Sequence, residues 1–343
     1  MSWYAVDSLD DALDATRAFL TPVDARQWLK LALVVFFLGN AGGGSPSAAG
    51  GSSTGPGTPN GGPPGPTGPM GFETDVPAEL GEFLPVLLGV VVVALVVGLL
   101  YALVGSVMEF VFVESLRRQR VRIRDYASQH SGRAVQLFAF RVALGLLVVI
   151  PALVVVAGVL SIAGVGPTLP VGLILVLAPL LALVGITVAV VDAFTVNFVV
   201  PVMISKNIGV IAGWKRFWPT LTGEWKQYGV YALVRFLLSI AVGIVASIIG
   251  SVVGAVLVAP LVVVGIFAVP VLGGPAGLLA NPIAVAVTVL LALSYFALLT
   301  AALSVAFVPV QTYLRYHSLL VLGDTDRDFD LIPELRRDIR GMA

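Results

Sequence analysis

Long apolar runs alternate along this chain with short polar segments rich in basic residues. Apolar sequence extends from about Trp28 to Asn40, Phe83 to Val113, Val135 to Val165, Leu169 to Ile204, Val230 to Val258 and Ile283 to Gln311. A helix rises about 1.5 Å per residue, so about 18–20 apolar residues cross a hydrocarbon core of about 30 Å. The first run is short and crosses only if Ala41 to Gly44 extend it, or if Trp28 and Lys30 snorkel at the near interface. The pattern predicts an all-α, polytopic integral membrane protein with six transmembrane helices, since a barrel would show short alternating strands instead. Ala259 to Pro282 is also apolar but carries Pro260, Pro270, Gly273, Gly274, Pro275 and Pro282. That predicts a re-entrant or interfacial loop rather than a seventh span. Gly166 and Pro167 predict a tight turn.

Composition supports the membrane reading. The 343 residues are 58% hydrophobic and 12% charged, with a mean hydropathy of +0.99. A soluble domain carries about 25% charged residues. Absence of cysteine excludes disulfides, thiolate chemistry and cysteine-ligated metals. The arginine-rich basic set and the acidic loops suit a GC-rich, salt-loving source.

Net charge is zero, and its distribution sets the orientation. Six spans with the basic loop Arg117–Arg141 inside place residues 1–27, 114–134, 205–229 and 312–343 in the cytoplasm. All 20 Lys and Arg residues then lie in or border cytoplasmic segments, which is the positive-inside pattern. A seventh span would move the basic tail outside. The expected organisation is a cytoplasmic amphipathic segment at 1–27, a membrane domain at 28–313 and a cytoplasmic charged tail at 314–343. Within 1–27, Leu9, Leu13, Thr16 and Leu20 fall near one helical face, which predicts a helix lying on the membrane surface, with an ordinary solvated helix as the competing reading. Residues 41–72 are mostly Gly, Pro, Ser and Thr, with no charge, and predict a low-complexity, disordered stretch within an external loop at 41–82.

A weak repeat runs through the spans. Phe110-Val-Phe-Val113, Phe198-Val-Val-Pro-Val202 and Phe307-Val-Pro-Val310 each close an apolar run, and aromatic and basic residues open the next. The chain reads as three helical hairpins, each preceded by a cytoplasmic amphipathic segment. Trp214, Lys215, Arg216 and Trp218 form the clearest such segment and are candidate lipid-headgroup contacts.

The Phe-Val-Val-Pro-Val exit, the Ala212-Gly-Trp-Lys-Arg-Phe-Trp218 segment and Gly223-Glu-Trp-Lys226 carry a resemblance over about residues 190–245. The chain resembles a group of uncharacterised six-span prokaryotic (haloarchaeal) membrane proteins. It is also similar to the membrane domain fused to some glycerophosphodiester phosphodiesterases. The catalytic domain of those enzymes is absent here, so the resemblance implies the membrane fold and not the activity.

Ionisable residues inside spans are functional candidates by default. Asp192, with Asn197 one or two turns on, and Glu109, at the matching place on the second span, form a candidate intramembrane polar site. Pairing through Arg141 or Arg235 would neutralise these carboxylates and make them a structural ion-pair belt. His130 and His317 lack ligand-type neighbours at helical spacing, so no metal site is expected. No catalytic or phosphate-binding motif occurs. Gly250-x-x-x-Gly254 and the serines at 239, 247 and 251 predict helix packing. The expected function is non-enzymatic: a scaffold or membrane-organising protein of the cell membrane, contacting lipids or other membrane proteins, with no cofactor and no nucleic acid. The alternative is a small-solute or ion transporter or channel, for which Pro179, Pro260 and Pro270 leave broken spans open.

Overall fold

The computed structural model describes residues 3–41, 78–162, 171–274, 277 and 281–341. Among these the regular structure is helical, with no strand. The expected disordered stretch at 41–72 falls, apart from Ala41, outside the described residues, as does the expected turn at Gly166-Pro167. The helices are α1 (Tyr4–Leu20), α2 (Ala25–Ala41), α3 (Ala78–Arg117), α4 (Ile123–Ile162), α5 (Val171–Phe194), α6 (Val200–Lys206), α7 (Val210–Gly223), α8 (Trp225–Val271), α9 (Pro282–Thr325) and α10 (Pro333–Ile339). A π turn, Thr195–Val199, joins α5 to α6. Among the described residues, five helices are long and apolar enough to cross a membrane: Val91–Arg117, Ile123–Gly158, Leu175–Lys206, Trp225–Val271 and Ile283–Thr325. The sixth expected span corresponds to α2, whose 17 residues rise about 25 Å.

The chain divides into two compact units. One comprises Met1–Ser45, Ala102–Phe138 and Ala193–Ala343, the other Pro46–Tyr101 and Ala139–Asp192. In the second, Leu95, Leu147, Ile150, Leu175 and Ile186 stand more than half exposed. Water would not tolerate so much open apolar surface, whereas lipid tails match it.

The first unit has a packed end and an apolar end. Phe110, Phe112 and Leu116 of α3 meet there with Phe198, Val200 and Met203 around the π turn and with Tyr316, Leu319 and Leu320 of α9, all essentially inaccessible. The Phe-Val exits of the second and fourth apolar runs therefore enter the core. The third lies at its edge, with Val308 buried and Phe307 half-buried. Phe198 is the hub. It stacks on Phe217 of α7 at 5.5 Å, and Tyr228 and Tyr231 of α8 approach it edge-on at 5.1 and 4.8 Å.

Three expectations change. The helix predicted to break at Ala259 runs on through Pro260 and Pro270 to Val271. A proline deletes one backbone hydrogen bond, and a long apolar helix tolerates this. At the N-terminus, α1 buries Thr16 and Leu20 of the expected face together with Ala5, Ser8, Ala12, Ala15 and Phe19, while Leu13 is exposed and Leu9 half-buried. Its small residues let it pack closely on α9, so the packed face shares Thr16 and Leu20 with the expected one but turns away from Leu9 and Leu13. His317 of α9 hydrogen-bonds through Nε2 to the Ala5 carbonyl at 2.8 Å. The charged tail also folds. Phe329, Leu331 and Ile332 are buried, and Arg336 reaches Asp324 and Asp330 at 3.2 Å each.

On α8, the hydroxyls of Ser239, Ser247 and Ser251 donate to carbonyls three residues earlier. Gly254 is buried against Tyr295 of α9, where a Cβ would meet the phenol oxygen at 3.2 Å, whereas Gly250 has open space beside it. The close approach thus involves one glycine of the pair.

Candidate functional site

Apart from 31–72, three long stretches of the sequence carry no Asp, Glu, Lys or Arg: 83–108, 142–191 and 236–314. Glu82 opens the first of these, and the other five bordering charges are Glu109, Arg141, Asp192, Arg235 and Arg315. Each of these five makes a polar contact at the border of its own stretch.

Arg141 and Asp192 bracket the middle stretch, and Arg141 Nε donates to Asp192 Oδ1 at 2.9 Å. The chain leaves this level on α4 and returns to it on α5. Arg235 and Arg315 bracket the last stretch. Arg235 Nη1 donates to the Leu314 carbonyl at 3.2 Å, so α8 and α9 also depart from and return to one level. Glu109, inaccessible to solvent, takes a hydrogen bond from Arg315 Nη2. The sequence reasoning had placed Arg315 in the tail and did not name it as a partner. Its other nitrogen, Nη1, donates to the Val196 carbonyl at 2.6 Å, and its guanidinium lies 5.7 Å from the Phe112 ring centroid.

The π turn makes Val196 available. Pro201 has no N–H to offer the Asn197 carbonyl four residues before it, and its ring crowds that carbonyl. The backbone widens there, and the Val200 N–H bonds to Thr195, five residues back. Asn197 turns its amide to its own helix, where Nδ2 donates to the Ala193 carbonyl at 2.8 Å. Thr195 Oγ1 accepts from Trp214 Nε1 at 3.0 Å, which fixes α7 to the turn. Gly213 allows the approach, since a Cβ there would meet Val199 Cγ1 at 2.8 Å. Trp214 therefore anchors α7 inward, while Lys215, Arg216 and Trp218 occupy the exposed side of the helix.

A second buried network escaped the sequence reasoning. Glu114, 1% exposed at its side chain, is paired with Arg118 and lies 3.6 Å from Arg117 and 3.9 Å from His130 Nε2. Arg133 Nη2 donates to His130 Nδ1 at 2.9 Å, which assigns the imidazole proton to Nε2, on the Glu114 side. Arg133 Nη1 also reaches the Met203 carbonyl at 3.1 Å. The legible part was Glu114 and Arg118 at i,i+4.

The third cluster joins the two ends of the chain. Arg340 bonds Asp11 of α1 at 2.7 Å and Asp324 of α9 at 2.7 and 2.9 Å. Hydrogen bonding to Asp324, then to Asp11, raises the Arg340 pKa above its ordinary value. Nearby, an open cleft of about 430 Å³ is lined by residues that include Arg117, Arg118, Glu334 and Asp338. Among the described residues, no three of the His, Asp and Glu side chains gather as a metal-ligand set.

These groups are paired ions and helix-to-helix ties. Within each unit they tie apolar helices to one another where the charge-free stretches end. The chain belongs to a family of unknown function (DUF7544), which matches residues 3–332. Comparison with curated proteins and with solved structures finds no match.

Proposed function

We propose that this is a non-enzymatic, multi-pass protein of the cell membrane that organises or assists other membrane components through lipid or protein contacts at its cytoplasmic end. Six spans, α2 included, form three hairpins with both termini in the cytoplasm. The observation that carries this reading is the division of two apolar helix pairs, α4 with α5 and α8 with α9, into a charge-free length and a charged, tied-off base. Arg141–Asp192 and Arg235–Leu314 sit where the charge-free lengths end. The bond of Arg340 to Asp11 supports a common side for the two termini. The positive-inside distribution supports assigning that side to the cytoplasm.

Transport of a small solute or ion is the second reading. It is favoured by the π turn at Thr195–Val199, because such turns recur at functional sites. Extraction with a native lipid annulus, followed by mass spectrometry, separates the two. A stoichiometric protein partner or a selectively enriched lipid supports the organising role. A bound small solute, with loss of coupled flux in Asp192→Asn, overturns it in favour of transport.

A further inference from the structure

The geometry points to the outer face of α7 and the elbow into α8 as a docking face for anionic phospholipid headgroups. This deepens the organising role proposed above and rests on it. Three independent features converge.

First, α7 is two-sided. Val210, Gly213 and Phe217 are buried, and Trp214 is tied inward through Thr195. The opposite side exposes Ile211 (65%) and Trp218 (57%), with Lys215 and Arg216 between them. The apolar side chains on the outer face are thus surplus to the fold, since the core-facing positions are already filled.

Second, the charge is one-sided. From Val210 to Lys226 the cations are Lys215, Arg216 and Lys226, and the one acid is Glu224. Lys226 lies 5.9 Å from the centroid of Trp225, itself 65% exposed. Indole rings beside lysine and arginine suit a layer that is apolar on one side and anionic on the other.

Third, the depth is right. The apolar run of α8 begins at Val230, about 7 Å along the helix from Trp225. The headgroup layer on each side of the hydrocarbon core is about 5–7 Å deep. The elbow therefore meets phosphates when α8 enters the bilayer. Binding is by charge and surface insertion, and no bond is made or broken.

The test uses the full chain reconstituted in vesicles of equal phosphatidylglycerol and phosphatidylcholine, then extracted, with retained lipid counted by native mass spectrometry. The expected result is retention of phosphatidylglycerol over phosphatidylcholine. Lys215→Gln, Arg216→Gln and Lys226→Gln together should reduce it, by up to about fivefold for each cation removed. Exchanging Lys and Arg at the three positions should preserve it. A chain with Trp3 and Trp28 changed to Phe, which keeps Trp214 as the anchor of α7 and Trp218 and Trp225 on the outer face, reports on folding and depth. Its emission should be quenched by lipid brominated near the headgroup in both charge backgrounds. Phosphatidylglycerol retention that survives the triple substitution overturns this site while leaving a lipid-organising role in place. No preference in the unmodified chain also overturns it. The organising role fails separately, if native-membrane extraction yields neither an enriched lipid nor a protein partner.

Discussion

Arg141 and Asp192 stand 51 positions apart, and their side chains meet at 2.9 Å. Between them the sequence has no charge. The pair joins the two ends of an apolar excursion, at 12% and 19% side-chain exposure. In so dry a setting each ion depends on the other, because breaking a buried pair leaves an uncompensated charge. Asp192→Asn should therefore cost about 3 kcal/mol, seen as a lower unfolding midpoint in detergent. Arg141→Leu with Asp192→Leu should recover most of the loss. A double substitution as damaging as the single one would refute a purely structural role.

Glu109 and Arg315 make the corresponding tie in the other unit, and Arg315 also holds the Val196 carbonyl. Arg315→Met should destabilise by about 3–5 kcal/mol. Glu109→Leu added to it should be partly restorative, leaving the deficit from the unpartnered carbonyl. Chemical denaturation of the single and double variants measures both effects.

Trp214 and Thr195 share one hydrogen bond, worth about 1 kcal/mol. Trp214→Phe and Thr195→Val should each lower stability, and the pair together should cost less than the sum. Additive losses would mean that α7 is held by packing alone.

Glycines distinguish packed from open positions. A Cβ at Gly213 would meet Val199 at 2.8 Å, and one at Gly323 would meet Arg336 Cζ and Asp330 Cγ at 2.9 Å each. Gly213→Ala and Gly323→Ala should cost about 1–3 kcal/mol. Gly229→Ala, with nothing within 4 Å, should be neutral or slightly stabilising. Thermal unfolding of the three variants side by side decides this.

Much of the architecture was legible because hydropathy and charge act over long windows. The apolar runs mark the five long helices, and the basic residues mark their charged ends. Asp192 and Glu109 stood out as the first carboxylates inside apolar sequence. What stayed hidden depends on tertiary contact. Arg315 reads as a tail residue until α9 continues to Thr325 and carries it into the core. Trp214 reads as a surface aromatic like Trp218, and only the π turn at Pro201 places an acceptor for its indole. In α1 the Leu spacing competed with a quieter row of Ala5, Ser8, Ala12 and Ala15. The packed face combines the small row with Thr16 and Leu20, because small side chains allow close approach to α9. Helix breakage at Pro260 was overestimated, since the penalty there is local and α8 is long.

The proposed orientation places the basic segments of the chain in the cytoplasm. The chain has no cysteine, so single cysteines can be introduced without background. Ser128→Cys on α4 and Thr222→Cys on α7 are exposed positions at the charged end, and Ser52→Cys lies in the loop assigned to the outside. In intact cells a membrane-impermeant maleimide should label position 52 alone, and positions 128 and 222 should react only after permeabilisation. Labelling of 128 or 222 in intact cells would contradict the account.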